Sequence, residues 1–397
     1  MKIAVLGYGT VGAGVVDVLT MNKGSITKRI GTEIDVKYVL DLRDFPGTIV
    51  ENIVTHDIED ILNDPEVEIV VETMGGLKPA YEFTKRALSA DKNVCTSNKE
   101  LVAEHGVELC QIAAEHNVNY MFEASCGGGI PIIRALNTSL RQDEILEISG
   151  ILNGTTNYIM TSMYDNGETF KEALKEAQEK GYAELHPEAD LEGHDAQRKI
   201  AILSSLAYGH HLDYKKVPTE GIDQIRIQDI QYAKAMNMKI KLLATSQVAE
   251  EGTWAMVSPR LVDDQNILYH VDGVMNAVFV KGNALGDAMF YGSGAGSLPT
   301  ASAVCADVLD CAQHPHETLK TDITAEPLAQ MPTDQVKNTF FVRCSGGESQ
   351  AKQVFGITDT MHVIDGEFGF WTPEMTEKDF TKKAAQVDGI IKFIRRG

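Results

Sequence analysis

The sequence is short of positive charge: 36 Lys and Arg residues face 57 Asp and Glu, a formal net charge of −21. That balance disfavours a track for nucleic-acid phosphates, and equally an anionic membrane surface, because both draw on clustered Lys and Arg. Cysteine is sparse and unpatterned. Cys95, Cys110, Cys126, Cys305, Cys311 and Cys344 include no Cys-x-x-Cys pair and no Cys/His cluster at zinc spacing, so buried free thiols are expected. No apolar run reaches the length of a spanning helix, and Met1 to Gly7 carries no signal-type stretch, so no membrane partner and a cytoplasmic location are expected. Internal repeats and low-complexity tracts are also missing. What remains is a chain of 397 residues, 43% hydrophobic, long enough for two or three domains with ordinary cores.

The first third alternates short β-branched runs with helical patterns, as a parallel sheet with crossover helices does. Lys2–Leu6, Val36–Leu40, Glu68–Glu72, Asn93–Thr96 and Val118–Phe122 read as strands. Val11–Met21, Pro79–Ser89 and Lys99–His116 read as helices, and Asn22–Thr32 as an inserted loop. Apolar strands of this kind are usually covered on both faces, which predicts a doubly wound domain. After about residue 130 the rhythm changes. Ile130–Leu140 reads as a helix, Ile145–Ile151 as a strand, Thr169–Lys180 as an amphipathic helix ended by Gly181, and Asp195–Tyr208 as a further helix. With β-like stretches at Trp254–Pro259 and Ala277–Lys281, this predicts a mixed α+β second domain. A glycine-rich run from Tyr291 to Ser297 precedes a helical Thr300–Cys311, marking a new unit or a return to the first. The tail, with strand-like Thr339–Cys344 and Met361–Phe370 and a helix from Glu377, reads as a small separate module.

Gly7-Tyr8-Gly9-Thr10-Val11-Gly12 directly follows the first strand and opens the first helix, the context a G-x-G-x-x-G dinucleotide turn requires. Gly7 permits the tight turn, Gly9 lets a pyrophosphate approach the backbone, and Gly12 lets helix and strand pack closely. The helix start at Thr10 and Val11 offers free N–H groups to the anion. The second strand ends at Asp41-Leu42-Arg43-Asp44. Asp41 suits the free ribose hydroxyls of NAD and Arg43 the 2′-phosphate of NADP, so both cofactors stay open, with NADP slightly preferred. Thr73 and Lys99 fall at the carboxyl ends of strands, where ligands gather in such sheets, although Lys99 reads equally as an ordinary first-turn lysine.

Between Glu184 and Lys199 the chain concentrates carboxylates and breakers between two helices. Carboxylates there suit a substrate ammonium. Asp195 and Lys199, four apart, share a helix face; in a cleft that lysine would exchange a proton with a substrate hydroxyl, whereas on a surface the pair is worth only a few tenths of a kcal/mol. A metal site from Glu184, His186, Asp190 and His194 is the disfavoured rival, since two of these flank Pro187 or Gly193 in a loop.

Further motifs fall in order along the chain: Thr96-Ser97-Asn98-Lys99, Phe122-Glu123-Ala124-Ser125, Gly128-Gly129-Ile130-Pro131-Ile132, Asn153-Gly154-Thr155-Thr156-Asn157-Tyr158, and Gly181-Tyr182-Ala183-Glu184. Asp190-Leu191-Glu192-Gly193-His194-Asp195, running on to Arg198-Lys199, and Gly294-Ala295-Gly296 before Pro299-Thr300-Ala301 complete the set. With the glycine turn, they make residues 1–315 resemble the homoserine dehydrogenases. The resemblance implies a Rossmann-type doubly wound domain (residues 1–130 plus about 293–320), a mixed α+β catalytic and dimerisation domain (131–292), and a shortened ACT-like module (334–397). It implies NAD(P)-dependent hydride transfer interconverting L-homoserine and L-aspartate 4-semialdehyde, in threonine, methionine and isoleucine biosynthesis, by a homodimer or higher homo-oligomer. By position, Lys199 and Asp195 would serve the proton transfer. Glu184, Asp190, Gly154 and Thr155 would surround the substrate, with Lys99 and Gly296 at the cofactor.

The same resemblance makes the Glu123 loop similar to a monovalent-cation site for sodium or potassium, with carbonyls from Cys126, Gly128 and Ile130; a glycine-rich hinge is the other reading. Two departures stand out. His186 replaces the family's common Asp, and the tail lacks the usual Asp-x-Pro-Gly turn after its first strand, which leaves effector binding and a purely structural role both open.

Overall fold

The computed structural model describes residues 1–319, 321 and 323–397. The chain forms two compact units: 1–144, 201–214 and 290–328 make the first, and 145–200, 215–289 and 329–397 the second. The expected segment end at about residue 320 lies outside the described residues.

In the first unit six strands form one parallel sheet: β1 (Lys2–Leu6), β2 (Asp35–Leu40), β3 (Val54–Thr55), β4 (Val67–Glu72), β5 (Asn93–Thr96) and β6 (Tyr120–Met121). Their order is β3-β2-β1-β4-β5-β6, so the chain winds outward in both directions and reverses between β1 and β4. Ligands of such sheets bind at that reversal. The apolar residues of β1 are wholly buried because helices cover the sheet. On one face Ile3 and Val5 pack with Val15, Val16 and Leu19 of the Thr10–Met21 helix and with Ala301, Val304 and Val308 of the Ser297–Gln313 helix.

The turn after β1 is fixed by sterics. Gly7 takes a φ of 90° and its N–H donates to the Leu40 carbonyl at 2.7 Å. A Cβ on Gly12 would stand 1.9 Å from the Gly7 carbonyl oxygen, so only glycine lets the helix start this close to the strand. Two expected elements differ. Asn22–Thr32 is not a loop but carries the helix Lys23–Ile30: Ile26 is buried against the sheet core and Gly31, with φ 80°, ends the helix, so packing overrides weak local propensity. The helix expected over Ile130–Leu140 begins only at Ile132, after Pro131, and passes into a π turn at Ala135–Ser139.

Eight strands form a second sheet, in the order Gly286–Ser293, Met275–Gly282, Ile145–Ile151, Lys239–Ala249, Gly252–Val262, Ile390–Arg396, Phe340–Cys344 and Phe368–Trp371. The tail therefore joins this sheet, Ile390–Arg396 pairing parallel with Gly252–Val262. Its own core centres on Phe340 and Phe380, stacked at 4.0 Å. The strand expected over Met361–Phe370 is confined to Phe368–Trp371, with one bridge from Met361 to Gly369, because Gly366 turns the chain at φ 78°. Among the described residues no helix is long and apolar enough to cross a membrane.

Gly12→Ala is expected to force helix and strand apart and to cost about 1–3 kcal/mol, the usual range for overpacking, as read by denaturant unfolding. An unchanged midpoint would contradict the steric account.

Candidate active site

A cavity of about 420 Å³ opens where β1, β2 and β4 end, lined by Gly7, Gly9, Asp41, Arg43, His56, Thr73 and Phe83 among others. Nothing lies within 4 Å of where a Gly9 Cβ would stand, and the Thr10–Met21 helix begins at Gly9 with no side-chain cap, with Val11 in its first turn. Its first N–H groups therefore suit an anion, so the residues fit a dinucleotide pyrophosphate. Gly296 caps the Ser297–Gln313 helix, and the Ser297 hydroxyl donates to the Thr10 carbonyl at 2.7 Å, beside the same turn. Thr73 uses its hydroxyl on the Leu6 and Gly7 carbonyls, at 3.0 and 2.9 Å.

Asp41 and Arg43 are not alternatives; they are partners. Nε of Arg43 donates to Oδ1 of Asp41 and Nη2 to Oδ2, each at 3.0 Å, while the Tyr8 N–H donates to Oδ2 at 2.9 Å. The guanidinium holds the Asp41 carboxyl down at about 2. Nδ1 of His56 lies 2.7 Å from the Asp41 carbonyl and Nε2 lies 3.2 Å from Asp44, and these contacts raise its pKa, the carbonyl most.

Glu72, the last residue of β4, is wholly buried. Its carboxylate accepts from the Met74 N–H at 2.7 Å and from the Thr96 hydroxyl at 2.5 Å. Thr96 Oγ1 in turn accepts from the Asn98 N–H at 2.9 Å, and Asn98 caps the Lys99–Glu115 helix by accepting from the Leu101 N–H. Half-buried Lys99 thus starts a helix whose entry is fixed through Glu72. Burial pushes the Glu72 carboxyl up to about 7.

In the second unit the first part of the helix His194–Tyr208 carries Asp195 and Lys199, 3% and 7% exposed. Lys199 Nζ donates to Asp195 Oδ2 and to the Leu152 carbonyl, both at 2.7 Å. The face that carries them is interior, so the surface-pair reading does not apply. Asn153 donates its amide to Asp190 at 2.8 Å and to Asp195 at 2.9 Å, which brings Asp190 into the cluster. Gly154 and Thr155 begin the helix that follows, where a Gly154 Cβ would stand 2.8 Å from the Val274 carbonyl and the Thr155 hydroxyl donates to the Tyr182 carbonyl at 2.6 Å. Glu184 sits exposed on its loop, and so does His186. Among the described residues no group of three or more His, Cys, Asp or Glu could hold a metal ion.

Back in the first unit, the Glu123 carboxylate is buried and accepts from the N–H groups of Ile133 and Arg134, at 2.9 and 2.6 Å. Burial pushes it up to about 7, and it pushes buried Asp307 well above the usual carboxylate range, where Arg134 donates at 3.1 Å. Gly128 packs so closely on Gly294 that a Cβ would meet its carbonyl at 2.5 Å, and the Ile130 N–H donates to the Gly127 carbonyl. Cys126 is buried beside them.

Residues 7–123 match the family model for the homoserine dehydrogenase NAD-binding domain, and residues 131–309 the model for homoserine dehydrogenase itself. A homoserine dehydrogenase of Synechocystis sp. is 43% identical, over 100% of this chain and 94% of its own length. The chain belongs to the homoserine dehydrogenase family. Among solved structures, a homoserine dehydrogenase of Thiobacillus denitrificans superposes with a TM-score of 0.93 at 36% identity, covering 100% of this chain and 98% of that one. A hyperthermophilic archaeal homoserine dehydrogenase mutant in complex with NADPH gives 0.66 at 28% identity, covering 78% and 97%. The reaction of this homoserine dehydrogenase chain is therefore the nicotinamide-dependent interconversion of L-homoserine and L-aspartate 4-semialdehyde, an oxidoreduction of the CH–OH type.

Three side chains of the site carry little or no signal in the sequence. Glu72 follows the apolar run Ile69–Val71 at the end of its strand, and a carboxylate in that place was the available signal. Asn153 precedes a helix start, the ordinary place for an N-cap, but its link to two carboxylates is a tertiary fact. His56 carried no signal.

The raised Glu72 carboxyl means that the folded state holds its proton more tightly than the unfolded chain. That contribution is full below the ordinary value of 4.5 and is lost as pH rises through about 7. Glu72→Gln should therefore gain stability relative to wild type between pH 5 and pH 8, by an amount on the order of 3 kcal/mol. Denaturant unfolding at the two pH values reads this, and parallel pH dependence in both proteins would refute it.

Proposed function

We propose that Lys199 and Asp195 carry the proton transfer of this reaction, and that Glu184, Asp190, Gly154 and Thr155 surround the substrate. The observation that supports this is the buried 2.7 Å pair of Lys199 with Asp195, tied to Asp190 through Asn153. When bound, the nicotinamide supplies a hydride to the aldehyde carbon in one direction and takes it from the alcohol in the other. Lys199 Nζ gives a proton to the aldehyde oxygen and recovers it from the hydroxyl in reverse. Asp195 keeps that nitrogen aimed, and the carboxylates of Asp190 and Glu184 receive the substrate ammonium.

Gly7, Gly9, Thr10, Val11, Gly12, Thr73, Lys99 and Gly296 are proposed to bind the dinucleotide, with NADP preferred over NAD. Arg43, 62% exposed and 5.0 Å from the Phe45 ring centre, is held outward by Asp41 to meet a 2′-phosphate, and the archaeal relative's NADPH supports the same preference. On this reading residues 1–130 with 293–320 form the nucleotide domain, 131–292 the catalytic and dimerisation domain, and 334–397 a shortened ACT-like module. The order of the tail, two strands, a helix, two strands, a helix and a last strand, supports the last assignment. A cytoplasmic homodimer is the assembly in keeping with the family.

A sodium or potassium ion is proposed at Glu123 with the carbonyls of Cys126, Gly128 and Ile130. Its support is charge: Glu123, Asp307 and Asp310 gather around the single guanidinium of Arg134. A cation there would offset that surplus, with Glu123 offering the lone pairs that its two backbone donors leave.

Lys199→Ala should lower kcat with homoserine by about 10²- to 10⁴-fold while NADPH binding, followed by fluorescence, stays close to wild type. Near-normal turnover would remove Lys199 from its role, and equal kcat/KM with NAD and NADP would remove the NADP preference. Because Glu123 must be ionised to bind a cation and titrates near 7, potassium or sodium should raise the melting midpoint more at pH 8 than at pH 5.5. Equal stabilisation at both pH values would sink the cation site.

A further inference from the structure

Asn153 stands immediately before the Gly154–Asn166 helix in an extended conformation, with φ −131° and ψ 117°, and is 7% exposed. Every hydrogen-bonding atom of its side chain has a partner. Oδ1 accepts from the Thr156 N–H at 2.9 Å, capping the helix, while Nδ2 donates to Asp190 Oδ1 at 2.8 Å and to Asp195 Oδ2 at 2.9 Å. An amide nitrogen has two hydrogens, so one uncharged group donates to both carboxylates at once. Bonds to ionised acceptors are about twice as strong as neutral ones, which makes this bridge more than a spacer.

The same two residues of chain serve the lysine. Lys199 Nζ shares Asp195 Oδ2 with the Asn153 amide and takes its second acceptor from the carbonyl of Leu152, the residue before Asn153. One short segment thus sets the helix start at Gly154, the carboxylate of Asp190, the rotamer of Asp195 and the aim of Lys199. No other side chain of that length does this. Aspartate and serine cap helices equally well, but aspartate would present a third carboxylate in place of the donor, and serine is too short to span both acids.

We infer that Asn153 is a positioning residue of the reaction, whose amide locks the substrate carboxylate Asp190 and the Asp195–Lys199 pair into one fixed array. The inference rests on the reading of Lys199 and Asp195 as the proton-transfer pair.

Asn153→Ser and Asn153→Asp separate the bridge from the cap, because both preserve an N-cap acceptor and neither preserves the two-way donor. Full-length proteins are assayed with homoserine and NADP, alongside melting midpoints, NADPH binding and Lys199→Ala. The serine variant should melt within a few degrees of wild type, the aspartate variant lower because of its third buried carboxylate, and both should bind NADPH normally yet lose about 100-fold in kcat, the scale of a small misplacement at a reacting centre, with KM for homoserine raised. Retention of kcat and KM within twofold in the serine variant would overturn the inference. So would a fall in melting midpoint and NADPH affinity together in both variants, which would assign Asn153 to the fold alone. If Lys199→Ala keeps its turnover, the proton-transfer reading fails first; if Lys199→Ala loses turnover and Asn153→Ser does not, only the positioning role fails.

Discussion

Two buried charges that must never be separated organise the second unit. Lys199 and Asp195 meet at 2.7 Å with 7% and 3% of their surfaces exposed. At a protein surface such a pair contributes little, whereas leaving one member buried alone costs about 3–5 kcal/mol. The helix His194–Tyr208 therefore has one acceptable rotation about its axis, the one that gives both groups further polar partners. Leu152 and Asn153 supply them, at the end of the Ile145–Ile151 strand and the start of the next helix, so the strand end and the charged pair depend on each other. What makes the array costly to disturb is also what keeps it ready for proton transfer.

The first unit is arranged by contact distances more than by charge. Gly12 lets a helix start where any side chain would strike the Gly7 carbonyl, and the helix then points its uncapped N–H groups at the cavity. Behind that cavity Glu72 fastens Met74, in the loop after β4, and Thr96, the last residue of β5 before its own loop. A carboxylate at the end of an apolar strand is poorly solvated, and the three bonds it accepts or relays give the loops a definite shape without a metal or a disulfide.

Much of this was legible in the sequence for physical reasons. The glycine turn is a steric necessity, so its spacing survives as a pattern, and β1 and β4 read correctly because Ile3–Leu6 and Ile69–Val71 are the continuous apolar runs that buried parallel strands show. The four-residue spacing of Asp195 and Lys199 showed a shared face but not which way it turned. That depended on packing, as did the helix Lys23–Ile30, whose Lys-Gly-Ser start has weak propensity and is held by Ile26. The pairing of Asp41 with Arg43 was invisible for another reason: read one at a time they pointed to different cofactors, and only their geometry shows a carboxylate holding a guanidinium in place. Asn153 bonds to residues about 40 positions away, a distance that local patterns do not encode.

The strand Ile390–Arg396 lies between Gly252–Val262 and Phe340–Cys344 in the eight-stranded sheet, and Arg260 donates to the Arg396 carbonyl across 136 residues of sequence. The two flanks of that sheet can therefore form separately, but they cannot be joined until this late strand has been synthesised. During translation the Arg260–Leu261 end of that edge stays unpaired until the last strand arrives, while Val257 already has the 218–220 segment to bond to, so the stretch of sheet edge left open to wrong partners is short.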